Sequence, residues 1–304
     1  MTGDVGEVRT GLTSRTAWRL LELACREAGL DSSGAALIRV GENALFRLAG
    51  HPVVVRIARS AEYLPRVANE VAVSRWLAAE GFPAARTVEE IGQPVVVAGH
   101  PVTFWHLIVE GNRKATYGQL GDVLRAFHAL KPPAGLWLPA FDVFGRTGLR
   151  IQRAPIPEAD RAFLRSHLEC LREELTAVRF DSVRAPVHGD AHVQNLMVDA
   201  AGRVILIDFE NVSFDHPEWD LMVTAVEHHS LRWQSPAQYS EFVAAYGRDL
   251  REWPGYETLR RLQEFRMTTW LMQNVDESDA VADEYGRRIA ALRDDRAIRN
   301  WQPG

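Results

Sequence analysis

Cysteine is scarce in this chain: 304 residues contain two, Cys25 and Cys170. Each sits in a helical apolar pattern. Two such thiols build no disulfide framework, and a reducing cytoplasm is the compartment they fit. A long apolar run is also missing. The longest, around 94–109, is broken by Gly99, His100 and His106, so it is too short and too polar to span a bilayer and no membrane partner is expected. Met1 to Arg9 holds no apolar core, which argues against a signal peptide. Basic residues are not in excess: 35 Lys and Arg face 40 Asp and Glu, for a net charge of −5. Nucleic acid as the main partner would demand a basic face, so it is not expected either. No internal repeat or low-complexity segment occurs. What remains is an ordinary globular composition, 46% hydrophobic and 25% charged, long enough for two modest domains.

The first part of the chain reads as a small α+β unit. Apolar spacing of three and four through Trp18, Leu21, Cys25 and Ala28 predicts a helix over 13–29. Strands follow at 36–40, 44–48 and 52–57, around turns at Gly41-Glu42-Asn43 and Ala49-Gly50-His51. A second helix over 64–81 buries Val67, Val71 and the Trp76-Leu77 pair, with Glu70 at the edge of that face. Two more strands, 94–98 and 101–108, lead to a linker at Val109-Glu110-Gly111. That layout predicts a boundary between residues 1–109 and 110–304. The second part is mostly helical. Helices are expected from 116 to the Pro132-Pro133 stop, at 157–178, from Pro217, and at 235–246, 256–275 and 280–293; residues 134–155 read as an irregular insertion.

The centre of the sequence is His188-Gly189-Asp190-Ala191-His192-Val193-Gln194-Asn195, followed by Ile207-Asp208-Phe209-Glu210. An H-x-D-x-x-x-x-N pattern before a second aspartate on an apolar strand suits phosphoryl transfer. Asp190 can accept a proton from a substrate hydroxyl. The Asn195 amide oxygen and Asp208 carboxylate can hold Mg²⁺, a hard ion that takes oxygen ligands. Between them, 196–199 and 203–207 read as a hairpin turned at Ala200-Ala201-Gly202. Arg56, near the end of the third strand, could contact nucleotide phosphates if Glu70 paired with it. Each read alone is more simply a solvated charge. Asp220 opens the helix after Pro217; it could accept hydrogen bonds from the catalytic loop or complement the helix dipole. His128 is assigned no role.

These residues resemble the aminoglycoside phosphotransferase family, which includes choline-kinase-like enzymes. The resemblance rests on His188-Gly189-Asp190 with Asn195, on Ile207-Asp208-Phe209-Glu210, and on Asp215-His216-Pro217 with Asp220-Leu221. Weaker matches are Asn69-Glu70-Val71 and Leu124-Arg125-Ala126-Phe127-His128. The resemblance implies an α+β, bilobal protein-kinase-like fold: a small N-lobe with a five-stranded antiparallel sheet and a mostly helical C-lobe. It also implies Asp190 as general base, Asn195 and Asp208 as Mg²⁺ ligands, Arg56 as the phosphate-contacting cation and His188 as a brace for the loop. Arg56 departs from the lysine of many members, and Arg and Lys are not interchangeable. Glu210 stands where protein kinases have glycine.

The resulting expectation is a kinase that uses ATP (or GTP) and Mg²⁺ to phosphorylate a hydroxyl of a small molecule. The acceptor would be an aminoglycoside, another antibiotic or an amino-sugar-like compound. A cationic acceptor follows from Asp276, Glu277, Asp279, Asp283 and Glu284, an acidic run that is otherwise a solvated face. Two rivals stand beside this reading. One is a catalytically silent, nucleotide-binding pseudokinase with a regulatory role, favoured by Arg56 and the single-glycine loop but opposed by intact Asp190, Asn195 and Asp208. The other is a metallophosphatase built on Asp190 and His192, which lacks a further His/Asp cluster.

Overall fold

The computed structural model describes residues 12–41 and 43–303. The leader question at Met1 to Arg9 and the turn residue Glu42 lie outside the described residues. The chain divides into two compact units: 1–114 with 133–136 and 197–211, and 115–132 with 137–196 and 212–304.

The first unit is built on a five-stranded antiparallel sheet. Its strands are β1 (Ala36–Val40), β2 (Asn43–Arg47), β3 (Val53–Ala58), β4 (Val95–Val97) and β5 (His100–His106), in the order β1-β2-β3-β5-β4. Alternation decides which side chains meet the core. On β3, Val53, Val55 and Ile57 are buried with Phe46, Val102 and Phe104 beneath helix α1 (Ser14–Glu27). Trp18 of α1 meets Phe46 edge-on, with ring centroids 4.8 Å apart. The same alternation turns Arg56 to the opposite face, directly across from Leu45 in the β2–β3 register. Helix α2 (Leu64–Ala79) buries Val67, Glu70, Val71, Ser74 and Leu77, a stripe of helical period that includes one carboxylate. The hairpin forms as expected from β7 (Leu196–Val198) and β8 (Val204–Leu206). Its turn is fixed by Asp199, whose Oδ1 accepts from the backbone N–H groups of Ala201 and Arg203, both at 2.9 Å, and by Gly202 at φ +82°.

The second unit contains helix α6 (Glu218–His229), whose residues from Glu218 to Val226 are all buried. Its other helices are α3 (Tyr117–His128), α4 (Thr147–Arg153), α5 (Glu158–Ala177), α7 (Pro236–Tyr246), α8 (Tyr256–Leu271) and α9 (Asp279–Arg293); α7 and α8 pack on α6, while α4, α5 and α9 pack on α8. Helices α3 and α7 pack closely at Gly121, where a Cβ would come within 2.6 Å of the Phe242 carbonyl oxygen. A two-stranded sheet, β6 (Ala185–Val187) with β9 (Ser213–Asp215), frames the loop that follows β6.

Three features differ from the sequence expectation. The 134–155 segment contains α4, a helix too short to carry a clear period, which buries Thr147 and Ile151. Strands β6 and β9 are three residues each and carry no alternation to detect. Cys170 is exposed rather than inward, whereas Cys25 is buried; both are free thiols.

Candidate active site

The first unit gathers its polar groups around one guanidinium. Arg56 Nη1 donates to Glu70 Oε1 at 2.5 Å, and Nη2 donates to Glu210 Oε2 at 2.7 Å. Asp208 Oδ1 lies 3.7 Å from Nη1. The Asn43 amide oxygen, in the orientation that satisfies its neighbours, accepts from Nε at 3.1 Å and Nη2 at 2.8 Å. A planar fork can serve all of these acceptors together, which a single ammonium could not. Burial works against charge on Arg56, but Glu70, Asp208 and Glu210 outweigh it and hold the group protonated. Burial also pushes the Glu70 carboxyl up to about 7; Arg56 limits that rise, while Asp208 and Glu210 add to it. Glu70 is therefore not a solvated glutamate: its side chain is 2% exposed.

Asp208 follows β8 with φ +68°, a left-handed conformation unusual for a residue with a side chain. Its Oδ1 is buried and receives no hydrogen bond. A buried carboxylate oxygen that accepts no hydrogen bond fits a hard cation ligand.

The second unit holds the 188–195 loop. Asp220 is fully buried on α6 and accepts three hydrogen bonds: from the backbone N–H of His188 at 2.7 Å, from that of Gly189 at 2.8 Å, and from His128 Nε2 at 2.9 Å. The Nδ1 of His128 meets the Tyr246 hydroxyl at 2.9 Å. His188 is fully buried, and Gly189 has φ +80°. The chain thus turns sharply beside a fixed anchor and presents Asp190, whose side chain keeps 46% exposure.

Burial opposes the ionised form of Asp190. The His192 ring, 3.4 Å from Asp190 Oδ2, outweighs that cost and holds the carboxyl below its usual range, with smaller help from His188 and Arg266. Reciprocally, burial opposes the charged His192 ring, and Asp190 raises it overall. Asn195 donates through Nδ2 to the Asp190 carbonyl at 2.8 Å. Among the described residues its Oδ1 receives no hydrogen bond, which suits a cation. Glu227 on α6 accepts from Gln234 at 2.6 Å, and burial pushes it up; it feels both His192 and Asp190.

Sequence reasoning assigns His128 no role and offers His192 only for a metallophosphatase; it does not reach Glu227 or the Glu210 contact. His128 and Asp220 stand far apart in the chain, so no local period links them; an α3 histidine next to a buried phenylalanine was the faint signal. Glu284 must be removed from the acidic run. It is buried and takes Arg288 Nε at 2.7 Å, Arg287 Nη2 at 2.6 Å and the Gln302 N–H at 2.9 Å. Asp276, Glu277, Asp279 and Asp283 are exposed. Among the described residues, no group of three or more His, Cys, Asp or Glu is placed to hold a metal.

Solved structures of the same fold cover nearly the whole chain. An amicoumacin kinase, hAmiN, in complex with AMP-PNP, Ca²⁺ and Ami superposes with a TM-score of 0.71 at 15% identity, covering 95% of this chain and 97% of its own. A microcompartment-associated aminopropanol kinase gives 0.70 at 18%, covering 92% and 95%. The choline kinase LicA from Streptococcus pneumoniae gives 0.63 at 16%, covering 92% and 99%. The fold is therefore α+β and protein-kinase-like. Among curated proteins, none matches the chain. The sequence model of the phosphotransferase enzyme family (APH) matches residues 39–265, a span that holds Arg56, Glu70, Asp190, Asn195, Asp208 and Asp220, and the chain belongs to that family.

Proposed function

We propose that this phosphotransferase is a kinase that transfers the γ-phosphoryl group of ATP (or GTP) to a hydroxyl of a small molecule with the help of Mg²⁺. The observation that carries the reading is Asp190: an accessible, ionised carboxylate on a loop pinned through two backbone N–H groups to the buried Asp220. A base must be both reachable and correctly charged, and its position must be fixed. In this reading Asp190 orients the acceptor hydroxyl and takes its proton, while His188 and Asp220 hold the loop. Arg56, oriented by Glu70, contacts the phosphates. Asp208 and Asn195 would hold Mg²⁺, whose charge supplies electrostatic stabilisation to the transferring group. Residues 1–109 are then the nucleotide lobe and 110–304 the catalytic and acceptor lobe.

ATP is supported by the AMP-PNP of the amicoumacin kinase complex. An amino-bearing acceptor, such as an aminoglycoside or another antibiotic, is supported by the relatives that act on aminopropanol and choline, both amino alcohols. The exposed carboxylates Asp276, Glu277, Asp279 and Asp283 would draw such a cation. Among the described residues, no helix is long and apolar enough to cross a membrane. A cytoplasmic site of action fits two free thiols.

A second reading, a silent pseudokinase, draws on the engagement of Arg56 by Glu70, Glu210 and Asn43. It predicts Mg-nucleotide binding without turnover of any acceptor. Nucleotide consumption measured against aminoglycosides, other antibiotics, amino alcohols and sugars separates the two. Acceptor-dependent consumption that disappears in Asp190→Asn supports the kinase. Tight nucleotide binding with no acceptor-dependent consumption would leave the pseudokinase.

A further inference from the structure

Helix α8 carries three arginines, and two of them hold glutamates. Arg260 Nη1 reaches Glu264 at 2.5 Å and its Nη2 donates to Glu257; Arg261 Nη1 donates to both oxygens of Glu174 at 2.8 and 2.7 Å. Arg266 does not follow them. Among the described residues no carboxylate oxygen lies within 4 Å of it; it donates to the neutral Gln263 Oε1 at 3.1 Å. Its guanidinium carbon lies 5.2 Å from the centroid of the Phe141 ring. That ring is itself fixed: the Phe141 N–H donates to Asp215 Oδ2 at 3.1 Å, and the ring packs against Trp219 at 5.3 Å. A guanidinium laid on an aromatic face keeps its in-plane donors for a planar anion.

A half-buried cation without a counter-ion is costly, and a protein seldom keeps one without a use. Burial presses Arg266 below its ordinary value. The nearby positive charge of Arg150 on α4 adds to that cost, while Asp190, Asp142 and Asp220 oppose it. None of the three makes an ion pair with Arg266, and each has another partner. Asp220 is spent on the His188 and Gly189 N–H groups and His128. Asp142 Oδ1 accepts from the Gly145 N–H at 2.8 Å, and Asp190 has His192 beside it. The pull of Asp190 on Arg266 also sets that cation within electrostatic reach of the proposed base. One turn further along the same face of α8 stands Trp270, a large apolar side chain that is 45% exposed.

We infer that Arg266 is an anion subsite of the acceptor-binding surface, with Arg150 adding to its field. The molecule phosphorylated then carries a carboxylate or a phosphomonoester as well as the hydroxyl that meets Asp190. An amino group elsewhere on the same molecule is compatible with this. The inference rests on the kinase reading, but it adds a required negative group to the acceptor and assigns it a residue.

The test uses the full chain saturated with AMP-PNP and Mg²⁺, so that probe anions cannot report from the nucleotide side. Glycerate and glycerol phosphate are compared with choline and aminopropanol at matched ionic strength, by calorimetric titration, in the parent protein and in Arg266→Gln and Arg266→Lys. Turnover of the same compounds is followed with ATP. At least one anionic class should bind, and Arg266→Gln should weaken it tenfold or more. Arg266→Lys should recover part of that loss. In turnover, KM for the anionic acceptor should rise tenfold or more in Arg266→Gln, with kcat and the KM for ATP within a few-fold. Preference between glycerate and glycerol phosphate decides between carboxylate and phosphate. Because Arg266→Gln removes an uncompensated charge, its Tm without acceptor should equal or exceed that of the parent. Binding or turnover confined to choline and aminopropanol, or equal KM values in parent and Arg266→Gln, would overturn the inference and leave the kinase standing. No binding by any probe overturns it as well. Anion binding that depends on Arg266, with no phosphoryl transfer to any compound, would sink the kinase reading and keep the subsite.

Discussion

The two units fix their polar groups by different means. In the first, one guanidinium is surrounded by Glu70, Glu210, Asp208 and an amide, so position comes from charge. In the second, one buried carboxylate grips two backbone N–H groups and a histidine, so position comes from the backbone. The consequence shows in two carboxyl groups that titrate in opposite directions. Glu70, buried, is pushed up to about 7. Asp190, accessible and beside a histidine, is held down. A group whose work is structural can tolerate a shifted charge; a base must stay ionised while a substrate approaches it.

The largest expected effect tests the second arrangement. Asp190→Asn should lower kcat by roughly 10²- to 10⁴-fold while nucleotide affinity and unfolding midpoint stay near those of the parent. Single-turnover kinetics beside calorimetric nucleotide titration measures both, and near-normal turnover would break the assignment. Next, Asp220→Ala should cost roughly 3 kcal/mol of stability, because two buried N–H groups and His128 lose their acceptor. Urea unfolding reads it; a loss below about 0.5 kcal/mol would mean that the loop holds itself.

The first arrangement should yield more gently, because several carboxylates share one partner. Arg56→Lys should raise the nucleotide KM by about tenfold, since a compact ammonium lacks the fork that meets Glu70 and Glu210 from separate nitrogens. Adding Glu210→Gly to that variant should return part of the loss. If the double variant is no better than Arg56→Lys alone, Glu210 is not the partner that the fork requires. The smallest effect is a control outside both clusters. Asp249 is held at about 2: burial opposes its charge, and hydrogen bonds from Arg251 and Tyr239 outweigh that. Its folded value lies below the unfolded one, so its contribution is complete above pH ~4 and fades as pH falls toward 2. At neutral pH, Asp249→Asn should lose about 1–2 kcal/mol, with the difference shrinking through that acid window. A constant difference across the window would exclude the carboxylate charge as its source.

Much of this was legible in the chain. Alternation on β3 sets Arg56 opposite Val55 and Ile57, and the α2 stripe carries Glu70 at its edge, although its burial was not legible there. The turn of the β7–β8 hairpin is written in Asp199 and Gly202. Other features had no local signature. His128 meets Asp220 across 92 residues. Glu284 reads like its acidic neighbours and differs only because Arg287 and Arg288 lie one turn along the same helix and take it inward. Helix α4 is too short for a period, and β6 and β9 are too short for alternation.

The sequence by itself determined the family, the element order of the first unit and the residues with the right chemistry at 188–195 and 208. Those follow from periods of two and 3.6 and from fixed motif offsets, which are properties of neighbours along the chain. Only the tertiary structure decided which charges are neutralised. Arg56 acquires three carboxylates, Arg260 and Arg261 acquire glutamates, and Arg266, on the same helix as the last two, acquires none among the described residues. Charge compensation depends on distance and burial between residues remote in sequence, and no local pattern encodes either.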